Sequence, residues 1–328
     1  MGKIIFWLKN ARYVALPQSV LPAVLAVFMA LNYADFSLLY SISAVFGVIF
    51  THLSINLFDD YFDYKNQNIQ IRNKLAENNV RARVGKCDYL IAKKTTVKQL
   101  FFVASAFLFI ALAIGTVIFL HRGNVILYLA LIGGFLGLSY SAKPLCLSYR
   151  GLGEIVVGIM FGPLLMIGVF YASCGVYHPC IALVAAAVGL LVTNILFTHS
   201  IMDYHPDKHT GKKTLAILIR STKGMFIVSC LIHILPFLLI GYGIAAHYLS
   251  FWYLLTFLSF PLSGYSMYLI VQFFRYPQKK FKPQRWMGAM ENWDAITQAG
   301  TDWFMIRWYL TRNLTAFFCI FAIIASLI

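Results

Sequence analysis

Charge is what this chain has least of. Only 12% of its 328 residues are Asp, Glu, Lys or Arg, and just twelve are acidic. A soluble globular chain carries about 25% charged residues, so too few are present to cover a water-soluble particle of this size. Disordered, collagenous, coiled-coil and nucleic-acid-binding classes are set aside on that ground. The six cysteines form no CxxC pair, and four lie in or beside apolar runs, as small buried hydrophobes do. A bond between Cys174 and Cys180 stays open if their loop faces an oxidising compartment. No small-x-small cleavage site follows the first apolar run, which is too long for a signal-peptide core and is read as a retained span.

What the chain has in abundance is apolar surface: 60% hydrophobic residues, 16% aromatics and a mean hydropathy of +0.74. The pattern predicts an all-α polytopic membrane protein, a single domain over 1–328. Nine spans are expected, roughly at 13–33, 38–58, 100–120, 124–141, 153–173, 180–200, 224–246, 250–272 and 311–328. The net charge of +15 supports this map. With the N-terminus in the cytoplasm, 26 of the 27 Lys and Arg residues fall in inner segments and only Arg122 lies outside. The inner connections 59–99 and 201–223 are long, polar and basic, so function is expected at that face. The stretch 273–312, with Trp286, Trp293 and Trp303 interleaved with charge, reads as an interfacial segment.

Five of the twelve acids form two clusters, each at the inner end of a span. Asn56-Leu-Phe-Asp59-Asp60-Tyr-Phe-Asp63 closes the second span, and Asp203-Tyr-His-Pro-Asp207 closes the sixth. On a continued helix Asn56, Asp60 and Asp63 share one face, as do His199, Asp203 and Asp207 unless Pro206 ends that helix early. Carboxylates stacked this way repel unless a cation lies between them. Hard oxygen donors with few protein contacts suit Mg²⁺, which keeps waters and shares phosphate oxygens. Lys65, Arg72, Lys208, Lys212 and Lys213 beside them would meet the remaining phosphate charge. The metal ligands expected are Asn56, Asp59, Asp60, Asp63, Asp203 and Asp207. An ion-coupled transporter would place such acids near mid-membrane on broken helices.

These motifs resemble those of the UbiA-type intramembrane aromatic prenyltransferases. Asp60-Tyr-Phe-Asp63-Tyr64 is similar to the family's first aspartate motif, and Asp203-x3-Asp207-x3-Gly211-Lys212-x-Thr214-Leu215-Ala216 to its second. Tyr140-Ser-Ala-Lys143-Pro144 and Tyr149-Arg150-Gly151-Leu152-Gly153-Glu154 look like the branch that prenylates 1,4-dihydroxy-2-naphthoate in menaquinone synthesis. Asp59 stands where the family often has Asn, and His199, Ser200 and Met202 replace that branch's Asn-Asn-x-Arg. The resemblance covers about residues 7–272. It implies a UbiA-type helical bundle, and Mg²⁺-dependent transfer from polyprenyl diphosphate to an aromatic acceptor. The acceptor it favours is the naphthoate; 4-hydroxybenzoate, homogentisate and haem are the alternatives. A bacterial inner membrane, no nucleic acid and no obligate protein partner go with it. Its implied roles are catalysis by Asp60, Asp63, Asp203, Asp207 and Tyr140, and diphosphate contacts by Lys143, Arg150, Lys212 and Arg83. Tyr61 and Tyr149 are further candidates to face an allylic cation, and Glu154 is open as acceptor contact or partner of Arg150. A CDP-alcohol phosphotransferase would need an Asp-Gly-x-x-Ala-Arg run, which the chain lacks.

Overall fold

The computed structural model describes residues 2–65, 87–209, 211–277 and 279–328, and those residues are helical and connecting segments without a named strand. Three helices open the chain: α1 (Lys3–Asn10), α2 (Pro17–Ala30) and α3 (Leu38–Lys65). Next come α4 (Asp88–Ile91), α5 (Val97–Arg122) and α6 (Asn124–Ser141). The second half holds α7 (Gly153–Cys174), α8 (Pro179–Met202), α9 (Tyr204–His209) and α10 (Leu215–Ile219). It closes with α11 (Thr222–Ala245), α12 (Phe251–Arg275), α13 (Trp293–Gln298) and α14 (Asp302–Leu327).

Eight of these helices are long and apolar enough to cross a membrane: α3, α5, α6, α7, α8, α11, α12 and α14. The first expected span is shorter than foreseen. Its apolar helix α2 has 14 residues, because a 3₁₀ turn at Tyr13–Ala15 precedes Pro17. At α3 the helix runs seven residues past the expected end and carries Asp59, Asp60 and Asp63 on helical backbone. The last helix begins at Asp302, nine residues early, so Arg307 and Arg312 belong to it.

Local chemistry sets the ends. Thr96 accepts from the Gln99 N–H, and the Gln99 side chain accepts from the Thr96 N–H, a capping box that starts α5. Pro179 stands in the first turn of α8, where its missing N–H costs nothing. Ser221 caps α11 through the Gly224 N–H. Arg122, the sole cation expected on the outer side, donates to the carbonyls of Asp35, Ala172 and Ser173 and so closes the end of α7. Cys174 and Cys180, both buried there, are free thiols, and the disulfide left open by the sequence is not formed.

α8 is the hub, with 72% of its apolar window buried against α2, α7, α11 and α14. A polar strip holds it to α11. The His233 ring donates from Nδ1 to the Ser229 carbonyl at 2.7 Å and meets Asn194 Nδ2 through Nε2 at 3.0 Å. In hydrocarbon such pairs satisfy groups that have no water to turn to. α7 is bent by a π turn at Met160–Leu164, where Pro163 supplies no N–H. Around that turn α7 and α8 touch through glycine. A Cβ on Gly162 would stand 2.4 Å from the Ala185 carbonyl and 2.5 Å from Gly189 Cα, and one on Gly158 2.0 Å from Thr193 Oγ1. Backbone cannot move aside as a flexible side chain can. Replacing Gly162 by Leu is therefore expected to destabilise the protein by about 1–3 kcal/mol or more through overpacking, read as a lowered thermal midpoint in detergent, whereas the same change at Gly134, which has open space around it, leaves the midpoint unchanged.

Candidate active site

The extension of α3 decides the site. Its last two turns place Asp60 and Asp63 in the interior, each 3% exposed, at the end of an otherwise apolar helix. Buried carboxylates need compensation, and it arrives from four separate segments. Arg12, in a left-handed turn before α2, pairs with both Asp59 and Asp60. Tyr89 on α4 donates to Asp60 Oδ2 at 3.0 Å. Ser141, the last residue of α6, donates to Asp59 Oδ1. Tyr149 donates to Asp63 Oδ1 at 2.9 Å. Asn56, one turn earlier on α3, donates through Nδ2 to the Ala11 carbonyl at 2.9 Å, which leaves its Oδ1 as the atom it can offer a ligand.

Burial alone would lower the pKa of the Arg12 guanidinium, but Asp60 and Asp59 outweigh it and raise it above its ordinary value. Burial, then the negative charge of Asp60, pushes the Tyr89 hydroxyl well above the usual tyrosine range, so it remains a donor.

The second cluster is held differently. Asp203 ends α8 and Asp207 lies in α9, both buried. Asp203 Oδ2 is 3.7 Å from His199 Nδ1, one turn back on α8. Beyond it the Lys212 N–H donates to the Asp207 carbonyl at 3.0 Å. The 142–152 connection lies alongside through a backbone bridge between Arg150 and Lys213. Gly151 makes that approach feasible: its φ is +80°, and a Cβ there would stand 2.0 Å from Leu218. Glu154 does not pair with Arg150. Its buried carboxylate accepts from Ser200 Oγ and from the Leu215 N–H at 3.1 Å, tying α7 to the second motif, while Arg150 donates to the Pro144 carbonyl.

These pieces enclose one cavity of about 470 Å³. Asn56, Asp59, Asp60 and Asp63 line it from α3, and His199, Ser200 and Lys212 from the second motif. Tyr140 and Tyr149 contribute aromatic faces, Lys9 and Arg12 further cations. Ile55, Val157, Met160, Phe161, Ile195 and Leu196 supply the apolar part of the lining, and Asn10, Gln18, Glu154 and Thr214 add further polar groups. Of the cations expected to contact a diphosphate, Lys212 lines the cavity; Lys143 and Arg150 are exposed and do not, and Arg83 lies outside the described residues. Asp203 and Asp207 stand behind the wall, Asp203 through His199. Among the described residues no three His, Cys, Asp or Glu side chains form a metal-holding group. The donor set is hard oxygen throughout, and it suits Mg²⁺, which takes one or two carboxylates and fills its shell with water and phosphate oxygens.

Sequence reasoning missed Arg12, Tyr89 and Ser141. Arg12 counted only toward membrane orientation, and its distance of 47 residues from Asp59 leaves no periodic trace. The single available signal was that it is the last cation before the first apolar run.

These features define a class: an integral membrane protein of apolar helices with an acidic, basic and aromatic cavity at one end. Residues 19–293 match the UbiA prenyltransferase family, and the chain belongs to that family; it is an enzyme, a prenyltransferase. It is 26% identical over 261 residues to the 1,4-dihydroxy-2-naphthoate octaprenyltransferase of Bacillus subtilis, covering 80% of each chain. It is also 26% identical to the 2-carboxy-1,4-naphthoquinone phytyltransferase of Synechocystis, over 59% of this chain and 63% of that one. Among solved structures it is similar to a digeranylgeranylglyceryl phosphate synthase, at TM-score 0.65 and 15% identity, covering 99% of both chains. It is similar too to a UbiA homologue from Archaeoglobus fulgidus bound to GPP and Mg²⁺, at TM-score 0.59 and 17% identity, covering 98% and 99%. Those likenesses establish the shared fold.

Removing Arg12 leaves Asp59 and Asp60 adjacent with less opposing charge. Arg12→Ala is expected to cost about 1.5–3 kcal/mol, as lost hydrogen bonds to charged groups do. Thermal unfolding without added metal should show a lowered midpoint, partly restored by millimolar Mg²⁺; an unchanged midpoint would remove Arg12 from this role.

Proposed function

We propose that this protein transfers a polyprenyl group from polyprenyl diphosphate to 1,4-dihydroxy-2-naphthoate, with Mg²⁺, at the cytoplasmic face of a bacterial inner membrane. The observation that carries this reading is the shared cavity that the α3 aspartates and Lys212 of the second motif line together with apolar and aromatic side chains. Such a cavity offers an anionic head and an apolar tail what each requires. Relatives described as 1,4-dihydroxy-2-naphthoate octaprenyltransferases support the acceptor. The distribution of Lys and Arg, 26 of 27 on one side of the span map, supports the orientation.

Asp60 and Asp63, with Asn56 and Asp59 beside them, would hold the metal from α3, and Asp203 and Asp207, which stand behind the wall, would complete its shell by turning toward the cavity. When bound, Mg²⁺ supplies positive charge against the diphosphate as it leaves. Lys212 meets the remaining phosphate charge, and Arg12, half-buried on the same wall, is placed to exchange its carboxylate partners for phosphate oxygens. The C–O bond to the diphosphate breaks and leaves an allylic cation, which the ring faces of Tyr140 and Tyr149 stabilise. The apolar wall excludes water, which would otherwise capture the cation. A ring carbon of the acceptor closes the new C–C bond, and in the naphthoate case the carboxylate on that carbon departs as CO₂. On this reading the connections 59–99, of which 66–86 lie outside the described residues, and 201–223 belong to the active-site face of one domain, and 273–301, ahead of α14, belongs to the interface.

Asp63→Asn and Asp207→Asn are each expected to reduce Mg²⁺-dependent prenyl transfer by about 10²-fold or more while membrane insertion is retained. Detergent-purified protein given radiolabelled prenyl diphosphate with naphthoate, 4-hydroxybenzoate or homogentisate provides the measurement. Turnover like that of the unmodified protein in either variant overturns the metal assignment, and transfer to another acceptor alone overturns the naphthoate.

A further inference from the structure

His52 has no role in the chemistry above, yet it lines the same cavity. It is on α3, one turn before Asn56 and two before Asp60, so all three share the cavity-facing side of the helix. At a rise of about 1.5 Å per residue it lies roughly 6 Å deeper than Asn56 and about 12 Å deeper than Asp60. The ring is only 7% exposed. Two contacts fix it: Nδ1 is 2.7 Å from Ser19 Oγ on α2, and the ring meets Phe161 edge to face at 5.1 Å. Ser19 itself is held to the Leu16 carbonyl at 3.0 Å. With Nδ1 engaged by Ser19, Nε2 is the one remaining polar atom of the ring, and the side chain lines the cavity, where a ligand can reach it. Phe161 packs on the ring, and Ile55, Val157 and Met160 line the same cavity.

A clamped imidazole facing an apolar cavity is what a flat aromatic ligand with a polar edge would use, its ring against the hydrocarbon and its hydroxyl on the nitrogen. A prenyl tail has no group to offer it. We infer that His52 is the acceptor-recognition residue: its Nε2 hydrogen-bonds a ring hydroxyl of the aromatic acceptor, and Ser19 holds the imidazole in the orientation that allows this. The inference rests on the reading of the acceptor as a hydroxylated aromatic. It goes beyond that reading in naming the group that selects for the hydroxyl.

The test compares equilibrium binding of 1,4-dihydroxy-2-naphthoate and 2-naphthoate, which lacks both hydroxyls, to the purified full-length protein, together with steady-state transfer. The unmodified protein is expected to bind the dihydroxy compound at least 10-fold more tightly. In His52→Phe that preference collapses to less than about 2-fold, and KM for the acceptor rises while KM for the prenyl diphosphate is unchanged. His52→Gln, whose amide oxygen can accept at the place of Nε2, keeps much of the preference; His52→Asn, which can reach only the place of Nδ1, does not. Ser19→Ala gives an intermediate loss. Thermal midpoints report folding of each variant separately. An unaltered preference in His52→Phe, or a rise confined to the KM of the prenyl diphosphate, overturns the inference. Equal binding of both ligands by the unmodified protein also overturns it, while leaving prenyl transfer standing. Conversely, failure to prenylate any aromatic would sink the proposed function, yet the binding comparison would still decide the part played by His52.

Discussion

The rest of this structure depends on the charge compensation of aspartates at the end of an apolar helix. α3 is mostly apolar until Phe58 and then carries three carboxylates within five residues, two of them buried. Left alone, such groups would be too costly to keep ionised. Arg12, Tyr89, Ser141 and Tyr149 come from four separate stretches of chain and converge on them. The segment before α2, the short α4, the end of α6 and the turn before α7 therefore share one anchor, and the cavity is the space their convergence leaves. The same logic shapes the second motif, where Glu154 gathers Ser200 and the Leu215 N–H.

The arrangement divides the cavity by polarity along α3. Along α3 the lining passes from the carboxylates Asp63, Asp60 and Asp59 through Asn56 and Ile55 to His52, and α7 adds the apolar Val157, Met160 and Phe161. An amphiphilic substrate meets this gradient in one orientation only. The helices behind the wall are packed for rigidity. Glycine contacts between α7 and α8 bring backbones together, and the π turn of α7 falls among Val157, Met160 and Phe161, which line the cavity. Irregular backbone at that depth is tolerated because it is covered by protein and faces a cavity rather than lipid.

How much was legible in the chain follows from how local each interaction is. The spans from α3 onward were foreseen nearly to their ends, as was the helical continuation that puts Asn56, Asp60 and Asp63 on one face. Ends were misjudged where polar residues belong to a helix: Asp302–Leu327 begins among charged and aromatic residues that look like a connection. Glu154 was weighed against Arg150, four residues away, but its partners lie 46 and 61 residues off. Lys143 and Arg150 stand beside the motifs in sequence yet outside the cavity in space.

The sequence by itself determined that this is a membrane-spanning helical protein, and that five of its twelve acids stand in two short segments at span ends. In lipid each helix satisfies its own backbone hydrogen bonds, so a run of apolar residues announces a span without reference to the rest of the chain. Only the tertiary structure decided which cation and which hydroxyls compensate each carboxylate, which candidate residues reach the cavity, and that a buried histidine stands on its deep wall. Those pairings join residues tens of positions apart, and their energy comes from burial and geometry that exist only once the helices have packed.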